Sequence, residues 1–190
     1  MISNLGMTLA VLIALSGCLG HEPVEENIEP QGEPHDDALE SPENSADRLP
    51  ASLRRAYIAA RMAEAGPEHE FSLTAHELEL LRAVNPEQRL VFDVTPEAVA
   101  VAPTNDESWQ ATLRFAGIGR GERINPPEEA RLEAEENRVN LRRGSVTEWY
   151  LNGPMGLEQG FDLAERTSGV GPLVLEMDVD EELRLELDER

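Results

Sequence analysis

The sequence predicts a mostly β protein: an antiparallel β-sandwich preceded by one amphipathic helix, which in turn follows a disordered acidic tether. Three observations carry that expectation. From His69 onward apolar residues recur at every second position in short runs, the period of a half-buried strand. Those runs are separated by Pro, Gly, Asn and Asp at close spacing, as antiparallel pairs require. Earlier in the chain, only Asp47–Ala65 shows a clear helical period.

With 190 residues the chain is long enough to bury a real core. All 16 basic residues are arginine, against 38 acids, giving a formal net charge of −22. That excess repels nucleic acid and anionic lipid at the approach distance, so neither is an expected partner. Aromatics make up only 4 %, and the core must rest on Leu, Val and Ala. A single cysteine excludes an intrachain disulfide and any Cys-rich metal site.

Residues 1–17 read as a leader. Met7 to Gly17 (MTLAVLIALSG) is an uncharged apolar run of 11 residues. It is too short to cross a hydrocarbon layer of about 30 Å as a helix and suits the apolar region of a signal peptide. The run ends in Leu15-Ser16-Gly17-Cys18, which resembles the lipobox of bacterial lipoproteins. The resemblance implies that Cys18 is lipidated, becomes the first mature residue and makes membrane lipid a partner. Leu19 is not the aspartate that retains some such proteins at an inner membrane, so the analogy points to the outer membrane of the cell envelope. One acyl chain anchors marginally and two anchor stably, because each buried CH₂ contributes about 0.8 kcal/mol.

Residues 18–46 carry nine acids, four prolines and no Lys or Arg. This segment has too little apolar surface to offset ordering entropy, and its charge keeps it extended, as a spacer would be. His21 and His35 lie in it without a rigid scaffold to make them metal ligands. Residues 47–66 then read as one amphipathic helix: Asp47 as cap, Pro50 in the first turn, Gly66-Pro67 as stop, and Leu53, Tyr57, Ile58, Met62 and Ala65 as its apolar stripe.

The β-rich region spans 67–190. Leu90-Phe92-Val94 and Val99-Val101 alternate on either side of Pro96-Glu97, and Trp109, Ala111, Leu113 and Phe115 alternate next. Arg138–Leu141, Val146–Leu151 and Gly160–Leu163 follow, then Leu173, Leu175, Met177 and Val179, and a final strand with Leu183, Leu185 and Leu187. Two stretches are ambiguous. Ser72–Ala83 offers a capping box from Thr74 to Glu77, yet also permits strands at Phe71-Leu73 and Leu78-Leu80. Pro127–Glu136 reads as a helix or an acidic loop.

Glu136-Asn137-Arg138-Val139, Arg142-Arg143-Gly144, Thr147-Glu148-Trp149-Tyr150, Asn152-Gly153-Pro154 and Gly156–Phe161 together resemble one region of known proteins. It is the N-terminal, non-repeat domain of myxobacterial FG-GAP-repeat, integrin-α-like envelope proteins. Asn85-Pro86, Trp109 and Gly119-Arg120-Gly121 fit the same pattern, and the likeness spans about residues 55–187. It implies strands at 72–83 and transfers no functional residue. Read physically, Asn152-Gly153-Pro154 reverses the chain between two strands, Trp149 and Leu151 face one side and Tyr150 the other, and Gly156 and Gly160 permit close approach.

Candidate chemistry is sparse. Glu148 and Glu158 flank the turn beside Trp149, and paired carboxylates with an aromatic platform are what glycan hydrolysis or binding uses. Asp178 to Glu182 offers oxygen ligands but lacks the glycine and spacing of a calcium loop. His76 has Thr74 nearby and no third group to orient it, and His69 lies just ahead. Gly117–Gly121 has no phosphate-loop lysine. Arg142-Arg143 is a basic spot to be paired with local acids. The expectation is therefore a protein without metal or cofactor: a lipid-anchored, non-enzymatic envelope protein contacting another protein or polysaccharide. The alternative is a secreted glycan-binding or glycan-hydrolysing sandwich using Glu148, Trp149 and Glu158, which demands an open cleft holding both carboxylates with the indole bared.

Overall fold

In the computed structural model, residues 7–13, 50–74, 79–105 and 109–180 are described. Cys18, the expected tether at 18–46, His76 and the expected strand at 183–187 lie outside them. The first elements are β1 (Met7–Ile13), α1 (Ala51–Met62) and a single 3₁₀ turn at Pro67–His69. Next come β2 (Ser72–Leu73), β3 (Leu81–Asn85), β4 (Leu90–Val94), β5 (Val99–Pro103), β6 (Ala111–Arg120) and β7 (Arg123–Asn125). The rest are β8 (Arg131–Glu135), β9 (Arg138–Arg143), β10 (Val146–Gly153), β11 (Gly156–Leu163) and β12 (Leu173–Val179).

Period-two alternation becomes two stacked antiparallel sheets. One has the order β12-β6-β5-β4-β3-β2, with β7 paired to β6; the other runs β1-β11-β10-β9-β8. Their facing sides interleave. Phe71, Leu81, Leu90, Phe92, Val94, Val99 and Val101 meet Val139, Leu141, Tyr150 and Leu157 in one continuous cluster. A smaller cluster joins Phe115, Val146 and Phe161, with the two phenyl rings tilted at a 5.0 Å centroid separation. Each fully buried Val, Leu or Phe contributes about 1.5–3 kcal/mol, so these two clusters are the main source of stability.

The structure differs from the sequence reading at several points. Residues 127–130 are an irregular loop, one of the two readings, but 131–135 form the edge strand β8 rather than a helix, because Leu132 pairs with Leu141 and packs against the core. Tertiary pairing overrides the helix propensity of Glu and Ala, and the exposed charges of β8 suit a sheet edge. In the ambiguous stretch the described residues form β2 and the start of β3 at Leu81, while residues 75–78, with Glu77 of the capping box and Leu78, lie outside the described residues. Helix α1 is shorter than 47–66. Pro50 is its cap, with ψ of 142°, and its carbonyl accepts from Leu53 and Arg54 N–H. Leu53 is 54 % exposed, which narrows the buried stripe to Tyr57, Ile58 and above all Met62. The chain reverses at Pro154-Met155, leaving Asn152 and Gly153 inside β10. Met7–Ile13, expected as the apolar part of a leader, runs antiparallel along β11.

On β10 and β11 the alternation sorts side chains cleanly. Trp149 lies opposite Gly160, on the face turned away from the second sheet, and the indole crosses the space a side chain would need. A Cβ on Gly160 would sit 2.1 Å from Trp149 Cζ2. Gly160→Ala should therefore lower stability by about 1–3 kcal/mol in urea denaturation. Adding Trp149→Leu should recover part of that loss, because the two changes share one volume; simple additivity of the two costs would count against the clash.

Candidate functional site

Polar groups converge at the centre of β10 and at its Asn152 end. The side-chain amide of Asn152, fully buried, reaches the other sheet. Its Nδ2 donates to the carbonyls of His69 and Val84, each at 2.9 Å, and its Oδ1 accepts from Asn85 Nδ2 at 2.8 Å. Asn85 Nδ2 also donates to Gly153 O at 2.7 Å, while its Oδ1 accepts from Gln88 N–H in the β3–β4 turn. Asn137 Nδ2 donates to Asn152 O at 2.6 Å. The result is a satisfied amide latch between the sheets, and helix α1 abuts it through Met62 beside Gly153.

The second group lies on the core-facing side of β9, β10 and β11. Glu148 Oε1 accepts from Tyr150 O–H at 2.6 Å and from Gln159 Nε2 at 3.0 Å. Arg143 places Nε 3.5 Å from Glu148 Oε2, a charge contact longer than a hydrogen bond, and donates to the carbonyls of Pro96 and Glu128. All four side chains are buried. Burial, followed by the neighbouring Glu148 carboxylate, pushes the Tyr150 phenol well above its ordinary value. The guanidinium carries one sheet's charge into the turn of the other.

His69 is fully buried, with Nε2 2.9 Å from Glu87 and Nδ1 3.3 Å from Glu68. Among the described residues, Glu68, His69 and Glu87 are a set whose donor atoms lie within 4.8 Å of one another, and they could hold a divalent cation. In the structure each ring nitrogen faces a carboxylate, so the imidazole ties the 3₁₀ turn to the β3–β4 turn. In the sequence His69 stands out only as a histidine just ahead of His76. Its signal, Glu68-His69 followed by Glu87, is invisible without the fold.

The glycan geometry is not assembled. Glu148 points into the core, opposite Phe161, whereas Glu158 pairs with Leu151 on the outer face. The two carboxylates thus lie on opposite sides of one sheet. Trp149 is 6 % exposed, held between Gly160 and the Arg138 guanidinium, whose Cζ lies 4.5 Å from the ring centroid. Glu158, half-buried near α1, is raised by desolvation, against the opposing pull of Arg138 and Arg55. Gly117–Gly121 belongs to β6 and its hairpin to β7, not to a phosphate loop. Arg142 pairs with Glu133 at 2.6 Å and Arg143 with Glu148, matching the expectation of local acid partners. Asp178 is exposed on β12, and Glu181 and Glu182 are outside the described residues. A cleft of about 770 Å³ opens between the β2–β3 edge and β8, lined by Leu73, Leu81, Leu132, Glu133 and Arg142.

Compared with known protein families, with curated proteins and with solved structures, the chain gives no match.

Two outcomes check these groups. Asn152→Ala strands two carbonyls and an amide in the interior and should cost about 3 kcal/mol in chemical denaturation; a cost below about 1 kcal/mol would deny the latch. For Tyr150, the folded value lies above the unfolded 10.0, so its contribution is complete below pH 10 and is lost as pH rises from there toward the folded value. Ultraviolet titration should show this phenol ionising only together with unfolding; ionisation in the folded protein near pH 10 would contradict its burial.

Proposed function

We propose that the chain is a lipid-anchored cell-envelope protein of non-enzymatic type, whose β-sandwich is held off a membrane on an acidic spacer and offers a surface to another envelope component. The observation that carries this reading is Leu15-Ser16-Gly17-Cys18 at the end of an uncharged apolar run, followed at once by the proline- and acid-rich residues 18–46. Cleavage before Cys18 and acylation of its thiol would give an anchor whose strength comes from buried methylenes. Leu19 favours the outer membrane as destination. The likeness to the non-repeat domain of FG-GAP-repeat envelope proteins supports the same setting.

The site geometry supports the non-enzymatic part. Of the buried ionisable groups, Arg143, Glu148 and Tyr150 direct polar contacts to one another and to backbone carbonyls, and His69 is held between Glu68 and Glu87. Glu148 and Glu158 cannot act on one bond from opposite faces of a sheet.

Cys18→Ser should move the protein from the membrane fraction to the soluble fraction, and mass spectrometry of the parent should find an acylated cysteine as residue one. An unmodified thiol with the leader attached, or unchanged fractionation of the variant, would refute the anchor.

A further inference from the structure

The five-stranded sheet has β1 as its last strand, and β1 is the very segment that the proposed leader cleavage removes. Seven consecutive pairs, Met7↔Leu163 through Ile13↔Leu157, cover β11 almost end to end. Without them β11 presents a full row of N–H and C=O groups to solvent, next to core-facing Leu157, Gln159 and Phe161. A long bare edge beside an apolar interior is a template for another strand.

We propose that in the processed protein the free edge of β11 is a strand-addition site. Its occupant is an extended, acid-free segment of another envelope protein, apolar at alternate positions and antiparallel to Gly156–Leu163. This inference rests on the proposed removal of the leader. Main-chain hydrogen bonds would supply affinity, and alternate side chains would supply selection.

The chemistry of the occupant follows from the register. β11 carries Glu158 and Asp162 on its outer row, with Gly160 between them. In β1 the residues opposite these three are Leu12, Ala10 and Thr8, none of them acidic. Arg138 already serves Asp162 at 3.5 Å, and an arriving acid would meet the like charge of Glu158 or Asp162 across the pair. A second copy fits poorly. Antiparallel β11–β11 pairing about Gly160 would set Glu158 against Asp162 of the second copy twice, between molecules of net charge −22. The segment 183–187 of the chain itself has the right leucines, with Arg184 and Glu186 alternating between them, but runs on into Asp188 and Glu189 and is not acid-free.

Three proteins test the proposal: the full chain produced without export, the same chain with L9P and A10P together, and the form recovered from membranes. The paired prolines remove one β11-directed amide whichever of the two residues supplies it. The probe is a labelled MTLAVLI peptide with an arginine tail. Backbone hydrogen exchange at 157–163 and fluorescence polarisation are the readouts. In the L9P/A10P chain and in the processed form, the peptide should bind saturably and raise β11 protection at least about tenfold. The unaltered full chain should bind none. Peptides carrying Leu9→Pro with Ala10→Pro, or Thr8→Glu with Leu12→Glu, should bind at least about tenfold more weakly. Absence of binding to a chain that begins at Cys18 would overturn the proposal while leaving the anchor standing. So would β11 protection present before peptide is added, whether it disappears on truncation after Asp180 (own tail) or on dilution (second copy). A membrane form that begins at Met1 would instead refute the anchor, and the L9P/A10P chain would then still decide whether the edge accepts a strand.

Discussion

The buried amide of Asn152 is the constraint from which the rest of the sandwich follows. Its side chain bonds to groups of the other sheet and of the 3₁₀ turn, and the neighbouring Gly153 carbonyl accepts from the same Asn85 amide. Because side chains in a strand alternate, fixing Asn152 inward fixes Tyr150, Glu148 and Val146 inward as well. A slip of one residue would send the indole into the core and the carboxylate to the surface. The same register turns Trp149 out over Gly160 and lets Arg138 close over it.

That single register also explains why the interior tolerates charge. Enclosing a carboxylate and a guanidinium is costly, and the cost is offset only when their remaining donors and acceptors are met. Here Tyr150 and Gln159 serve Glu148 Oε1 and the carbonyls of Pro96 and Glu128 serve the terminal nitrogens of Arg143, while Arg143 Nε and Glu148 Oε2 face each other at 3.5 Å by charge alone, without a hydrogen bond. Since Pro96 lies in the β4–β5 turn of the opposite sheet, the polar row doubles as a second tie between layers. Two ties of different chemistry, amide at one end and ionic further along, specify how the sheets align where apolar contacts alone would permit sliding.

The proposed anchor and the proposed strand acceptor meet in one segment. Residues 7–13 are written as an uncharged apolar run, and that composition serves equally as the core of a leader and as an edge strand on β11. An edge that is covered in the precursor and bared on processing would be protected from aggregation during synthesis and open for pairing afterwards. The two roles share residues without sharing a physical basis. One depends on a sulfur atom and acyl chains, the other on main-chain amides.

Period-two alternation made most strands readable in advance. Leu90-Phe92-Val94, Val99-Val101 and Leu173 to Val179 stand where their pattern puts them, and Trp149 and Tyr150 split to opposite faces, because alternation is a local property of the chain. The charge balance, the lone cysteine and its context are likewise matters of sequence alone. Tertiary structure decided what depends on distant partners. It made 131–135 a strand, since only Leu141 across the pair and the core beyond reward that conformation over a helix. It separated Glu148 from Glu158, ten residues apart in sequence yet on opposite faces once the turn and the register were set. It also gathered Asn85, Asn152, His69 and Glu87, which no spacing rule connects. Their buried polar atoms needed partners that only the stacking of the two sheets could bring within reach.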